Sequence, residues 1–574
     1  MFLLAFVHAL SLFQAIAAHE SIQNILASLN PGLQFDTSLH NSESCKQTPP
    51  LFPKQSTLDQ ALEELFRTDK FKKQTANALS TIIRVPTVTN DDFLPVGQDS
   101  RWELFGDLHT ELQLLFPLVF SSLKVTKINT YNLVFHWQGS NPSLKPVLTT
   151  AHQDVVPVEP STLNQWKYPP FSGFYDGTWI WGRGSCDDKS DLISQLTSIQ
   201  SLLEHGFLPI RTFVFAYGID EESAGTQGAG KIAQYLEATY GRDGFAALVD
   251  EGYGFGIPYG GDILFAGPGT GEKGYLDVHV EVTTPGGHSS VPPRHTAIGI
   301  LASVITTLES NPYPLDLSRT STAFQQVECE ATYGPLFPSS IRDLVNRVQH
   351  NDSAALVELA RALVDLEGMR GRLYEALITT TQAVDLVTGG VKVNALPEKA
   401  EAVVNYRIAQ ESSVSAVQER FTSTILPVAQ QHNLTLRAFG LVVHDGSSEG
   451  SVTLSTAWGN SLEPAPRTPT NLGSESDEET RPYELLMGTI KAALKASPEY
   501  SNKEVVVMPT LMFGNTDTAS YWNLTKHIYR YGHFSEKAMY NGEHTVNEAL
   551  NADALVEKIR FHTKWILNWD EAEF

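Results

Sequence analysis

Residues 211–225 read RTFVFAYGIDEESAG. The stretch opens on an unbroken run of β-branched, aromatic and small residues, 212–217, whose length and composition suit a strand buried on both faces. The run stops at Gly218, and Asp220, Glu221 and Glu222 follow. Three carboxylates at the end of a buried strand repel one another and resist desolvation unless positive charge compensates them. A metal centre supplies that charge, and in open α/β sheets ligands collect beyond the carboxyl ends of the strands.

Other segments end in the same way. Residues 145–154, KPVLTTAHQD, run into His152 and Asp154; residues 245–251, FAALVDE, run into Asp250 and Glu251. Residues 179–188, WIWGRGSCDD, pass through Gly-Arg-Gly to Asp187 and Asp188, and residues 541–548, NGEHTVNE, place His544 in a polar turn. Together they give a nitrogen and oxygen donor set that suits zinc and contains no thiol. Cys186 beside Asp187 reads as a small buried residue in a tight turn rather than a nucleophile, since no His pairs with it in sequence.

HQD at 152–154, GRGSCDDK at 182–189, DEES at 220–223, VDEG at 249–252, GGHSS at 286–290 and GEHTVNE at 542–548 occur in this order. The series resembles that of the aminoacylase/carboxypeptidase-S family of dinuclear zinc hydrolases, from about residue 71 to the C-terminus, and 166–184 resembles its carboxypeptidase S branch. The resemblance implies an α/β/α zinc-exopeptidase catalytic domain and two Zn²⁺ per chain. Asp187 would bridge the ions, His152 and Asp250 would complete one site, and Glu222 and His544 the other. Glu221 would be the general base acting on a metal-bridging hydroxide, with Asp154 orienting His152. A cis peptide is implied at Asp187–Asp188. His288 would stabilise the oxyanion, often from a partner subunit, and Asn394, Arg407, Gly514 and Thr516 would hold substrate. Arg407 has a second reading, a surface salt bridge on an edge strand. Arg530 resembles a further site residue, but the family's following Phe and Pro are absent, and it is left out of the set. His533 is the one rival of His544.

The activity implied is a metallo-carboxypeptidase that hydrolyses the C-terminal amide bond of small peptides. One alternative is an N-acyl amino acid amidohydrolase; another, of a different class, is a metal-free binding protein of the same fold. The partners implied are a small peptide or N-acyl amino acid substrate and a second copy of the chain, in a homodimer through the lid domain.

The chain has 574 residues, 42% of them hydrophobic and 10% aromatic, which is too long for one ordinary core and fits two globular domains. Lys and Arg number 41 against 65 Asp and Glu, a net charge of -24, which argues against nucleic acid or an anionic membrane as partner. Residues 2–18 are apolar and end in an A-x-A-like cleavage site, which reads as a signal peptide, or as an uncleaved anchor. The implied location is the secretory pathway: secreted, or in a vacuolar or lysosomal lumen. Asn351, Asn433 and Asn523 open N-glycosylation sequons. Three Cys do not make a disulfide scaffold, although Cys45 and Cys329 could pair.

Residues 19–55 read as an N-terminal arm. Strands alternating with helices over 56–272 point to an α/β sandwich with a mainly parallel sheet. At 275–283, YLDVHVEVT, the pattern turns to strict alternation, a half-buried strand. A helix at 297–308, strands at 378–387 and 400–409, a helix at 414–432 and a strand at 434–439 follow, a β-α-β-β-α-β unit of ferredoxin-like type. It reads as a lid domain inserted over 273–455, itself interrupted by a helical insert near 340–375. The Ser-, Thr- and Gly-rich stretch 447–481 reads as the return linker, and 456–574 as linker and the rest of the catalytic domain.

Overall fold

The computed structural model describes residues 45–223, 225–472 and 476–574. The expected leader and the arm before Cys45 lie outside the described residues. Two compact units emerge. The first comprises the described residues up to Thr270 together with Gln325–Arg342 and Arg467–Phe574; the second is Gly271–Phe324 and Asp343–Pro466.

The first unit is built on a ten-stranded sheet. Its centre is four parallel strands in the order Phe213–Gly218, Val147–His152, Ala247–Gly256, Ile528–Ser535. Every residue of Phe213–Gly218 is buried, and successive side chains serve opposite faces, as the two-residue period of a strand requires. Phe213, Phe215 and Tyr217 enter one core with Leu192 and Ile199 of helix Lys189–Glu204 and with Ile559 and Trp565 of helix Ala552–Asp570. Val214 and Ala216 enter another with Ile232 and Leu236 of helix Ala229–Tyr240. Each fully buried Val or Phe contributes about 1.5–3 kcal/mol, so this short strand anchors both layers. His152 lies level with Gly218, and Thr149 with Val249. The parallel strands therefore end together and release their polar residues on one side.

The described part of the arm is tied down at several points. Cys45 is disulfide-bonded to Cys329. Gln47 exchanges two hydrogen bonds with the backbone of Val507, at 2.9 and 3.0 Å, and the Leu51 N–H donates to the Gly488 carbonyl at 2.8 Å. Side-chain bonds to backbone at such long sequence separation leave no signal in local composition.

The second unit carries a six-stranded sheet in the order Thr381–Gly389, Lys399–Ile408, Gly274–Thr283, Ser451–Leu462, Thr435–Ala438, Leu441–His444. Helices Ala297–Glu309 and Val414–Gln431 bury Ile300, Leu301, Val304, Phe421 and Ile425 against Val278, Val280, Ala402 and Val404. The fourth strand of the β-α-β-β-α-β unit, beside the first, is Ser451–Leu462. This corrects the reading of 447–481 as linker. Ser451, Thr453 and Ser455 alternate with the buried Val452 and Leu454 in its first half, so the composition looked loop-like although the alternation carried the strand signal. The expected strand at 434–439 exists as Thr435–Ala438, but it forms an added hairpin with Leu441–His444. Four helices lie between Thr322 and Ile378, and Gln325–Arg342, holding Cys329, groups with the first unit. Among the described residues no helix is long and apolar enough to cross a membrane.

Candidate metal centre

The side on which the parallel strands end gathers the strand-end residues. His152 closes its strand and is buried; its Nδ1 lies 3.2 Å from Asp154 Oδ1 and 3.1 Å from the Asp154 carbonyl. That leaves Nε2 turned toward Asp187 Oδ1 at 2.9 Å and Glu251 Oε1 at 3.7 Å. The other Asp187 oxygen, Oδ2, lies 3.0 Å from His544 Nε2, and the same nitrogen is 3.0 Å from Glu222 Oε1. One carboxylate thus stands between two imidazoles. The Asp187–Asp188 peptide is cis, and Asp188 Oδ2 accepts the His152 N–H at 3.3 Å.

Ligand-type atoms gather in three overlapping groups, each within 4.8 Å: His152, Asp187 and Glu251; His152, Glu221 and Glu222; Asp187, Glu222 and His544. Asp250 is absent from these groups, and its Oδ1 accepts the Thr150 hydroxyl at 2.7 Å. Glu251, the next residue of Ala247–Gly256, is the carboxylate grouped with His152 and Asp187. The sequence offered both carboxylates and no signal to choose between them.

Asp154 is fully buried. Besides facing His152 it accepts the Glu221 and Glu222 N–H groups, each at 3.2 Å, and the Thr89 hydroxyl at 2.7 Å. The turn after the central strand is thereby fixed to the same carboxylate that backs the His152 ring. Thr89 has no motif around it and was not singled out from sequence.

The electrostatics show a surplus of negative charge. Burial pushes the Glu221 carboxyl well above the usual range, and the neighbouring Glu222, Asp517 and Asp187 carboxylates add to this against the opposing effect of His152. Burial alone would lower His544, but Glu222 and Asp187 raise it to about 11. Burial likewise disfavours charge on Asp187, yet hydrogen bonds from His152 and His544 hold it below the usual range. Such a cluster favours a cation.

His533, the rival, is buried and stacks on Phe561 with centroids 4.8 Å apart, and its Nδ1 meets the Tyr531 hydroxyl at 3.0 Å; it is a core residue. Cys186 is a buried thiol that burial pushes well above its ordinary value. Thr516 Oγ1 lies 2.7 Å from Thr518 Oγ1, which accepts Arg530 Nε at 3.0 Å. Gly514, half-buried, precedes these buried threonines on the same segment. Arg530 is itself buried.

In the second unit His288 and Asn394 share one small hairpin: His288 pairs with Ala395, and the Ser289 N–H donates to the Asn394 carbonyl at 3.3 Å. Arg407 lies on Lys399–Ile408, opposite Tyr275 and Thr381. That strand has neighbours on both sides, which removes the edge-strand reading. Burial lowers the Arg407 pKa, with Asp277 and Asp385 opposing.

The model of Peptidase family M20/M25/M40 matches residues 148–568. The chain is 35% identical to carboxypeptidase S of Saccharomyces cerevisiae, over 92% of this chain and 90% of that protein. It is 32% identical to N-fatty-acyl-amino acid synthase/hydrolase PM20D1 of Bos taurus, over 86% and 88%. Among solved structures, human carnosine dipeptidase 1 superposes with a TM-score of 0.56 at 14% identity, over 91% of this chain and 100% of that one, a likeness of fold. With the family model spanning most of the chain and a relative above 30% identity along nearly all of it, the protein belongs to peptidase family M20/M25/M40 and is a hydrolase.

Proposed function

We propose that the protein is a zinc-dependent metallo-carboxypeptidase that holds two Zn²⁺ and hydrolyses the C-terminal amide bond of small peptides. The observation that carries this reading is the Asp187 carboxylate placed between His152 and His544, with Glu221, Glu222 and Glu251 around it. The donors are imidazole nitrogens and carboxylate oxygens, which fit zinc. His152, Asp187 and Glu251 would hold one ion, and Asp187, Glu222 and His544 the other. When bound, the two ions supply Lewis acidity toward the amide carbonyl and the attacking water.

The chain's own residues do the rest. Asp154 holds the Nδ1 side of His152, so that Nε2 faces the cluster. Glu221, whose carboxyl favours a proton more than an ordinary glutamate, takes one from the attacking water and passes it to the leaving nitrogen. The Ser290 N–H donates to His288 Nδ1 at 3.2 Å, so a neutral ring carries its proton on Nε2. That proton is the donor proposed for the developing oxyanion. Asn394, Arg407, Gly514 and Thr516 are proposed to hold substrate, with the Arg407 guanidinium taking the free α-carboxylate.

Similarity to PM20D1 favours a second reading, an N-acyl amino acid hydrolase. The same centre serves both, because each substrate presents an amide beside a free carboxylate. The test is an assay of the purified chain on dipeptides and on long-chain N-acyl amino acids, before and after chelation. Dipeptide turnover that a chelator abolishes and Zn²⁺ restores supports the proposal. Turnover confined to N-acyl amino acids selects the second reading, and full activity without metal ends both.

The Cys45–Cys329 disulfide supports a location in an oxidising lumen of the secretory pathway, as do the apolar leader sequence and the exposed sequon residue Asn351. A homodimer through the second unit is supported by Val291, Val391 and Val393, which are 80%, 98% and 95% exposed around the His288 hairpin.

A further inference from the structure

We infer that Glu548 and Arg183 are positioning residues that set the spacing between Asp187 and His544, an inference that rests on the dinuclear reading above. Asp187 and His544 stand in two irregular segments, and a short antiparallel pair, Trp179–Trp181 with Ala549–Asn551, aligns the chain up to their edge. The ladder stops at Trp181 opposite Ala549. Past that point the alignment is carried by Glu548. Its carbonyl accepts the Gly182 N–H at 3.0 Å, its Oε1 accepts the Cys186 N–H at 2.9 Å, and its Oε2 meets Arg183 Nη1 at 2.5 Å. Arg183 Nη1 also reaches the Thr545 carbonyl at 3.5 Å. One carboxylate therefore binds the residue before Asp187, and one guanidinium reaches the residue after His544.

The Asp187 side is also held from behind, where Asp188 accepts the His152 N–H at 3.3 Å and its carbonyl accepts the Asp191 N–H at 3.0 Å, so the ties through Glu548 and Arg183 are those that reach across to the His544 segment. The loop that carries Asp187 has little freedom to compensate: Gly184 sits at φ +84°, and a Cβ there would lie 2.5 Å from Val155 Cγ1. Glu548 is fully buried and Arg183 is 4% exposed. Removing one partner leaves the other charge buried and unmatched, and a shift of either segment moves Asp187 relative to His544. Both residues lie in motifs whose ligands the proposed function uses, GRGSCDDK and GEHTVNE, yet neither is in any of the ligand-type groups.

The test is Co²⁺ titration of the metal-free full chain, followed by visible absorption, for wild type, Glu548→Gln, Arg183→Met and Arg183→Lys. Glu548→Gln keeps an acceptor for the Cys186 N–H and loses the ion pair. We expect one ion to bind as in wild type and the second about 10–100-fold more weakly in Glu548→Gln and Arg183→Met, the range for residues that orient ligands. The metal-free unfolding midpoint should stay within a few degrees of wild type, and Arg183→Lys should regain most of the affinity. Wild-type affinity for both ions in Glu548→Gln overturns the inference. So does loss of the fold in that variant, since the pair would then hold the chain rather than the spacing. A wild-type chain that takes up a single ion fails the dinuclear reading itself, and the inference falls with it.

Discussion

Asp154 backs His152, with Oδ1 3.2 Å from the ring Nδ1, and the same carboxylate receives the N–H groups of Glu221 and Glu222. A single buried anion thus fixes an expected metal ligand and the expected base together. Asp154→Asn keeps the shape and removes the charge, and its amide nitrogen cannot accept from the N–H it would face. We expect kcat/KM to fall about 10–100-fold together with metal affinity. Metal content and kinetics measured on one preparation check this; wild-type values for both would reduce Asp154 to a turn residue.

Glu221 and Glu222 are adjacent, but only Glu222 meets His544, at 3.0 Å. Glu221→Gln should therefore retain two metals and lose kcat by about 10²–10⁴-fold, the size of a general-base contribution. Glu222→Gln should lose metal as well. The reverse pattern in paired metal analyses and kcat measurements would exchange the two roles.

The carboxylates of Ala247–Gly256 separate by their partners. Glu251 lies 3.7 Å from His152 Nε2, and Asp250 accepts from Thr150 at 2.7 Å. Glu251→Gln should lower bound metal from two ions to one per chain, while Asp250→Asn should keep two. If metal analysis gives the opposite, the Thr150 bond yields to the ion and Asp250 is the ligand.

The strand-end carboxylates and histidines were legible in the sequence because a buried strand tolerates a cluster of charge only where something compensates it. His152, Asp187, Glu222 and His544 meet as that logic requires. That Glu251 lies beside His152 while Asp250 accepts from Thr150 was not legible, since it depends on how the end of one strand turns its adjacent carboxylates. Ser451–Leu462 was hidden by its outward Ser and Thr, whose composition is that of a loop even though Val452 and Leu454 mark the buried face. The Cys45–Cys329 pairing was open to the sequence, but the rest of the seating of 45–55 was hidden for another reason: its partners, Gly488 and Val507, lie hundreds of residues away.

His109 ties stability to pH. Its ring is buried, with Nε2 2.9 Å from Gln153 Oε1, next in the chain to His152. Burial, with the nearby Lys127 charge, pushes its pKa down to about 4 from an ordinary 6.5. Above pH 6.5 the ring is neutral in folded and unfolded chains alike and has no effect on the balance. Between pH 6.5 and about 4 the unfolded chain takes up a proton that the folded chain refuses, so stability falls as pH falls. Below about 4 both forms are protonated and the loss levels off. The full effect is on the order of 3 kcal/mol, from about 1.36 kcal/mol per pKa unit. His109→Gln removes this proton, so its stability should decline less steeply than wild type between pH 6.5 and 4, by up to about 1.4 kcal/mol per pH unit. His527, also lowered to about 4, burial being the main cause, contributes to both chains and cancels in the difference. Urea midpoints at half-unit pH steps on the metal-free proteins measure it. Parallel curves for the two chains would mean that the His109 ring protonates in the folded state as readily as in the unfolded one.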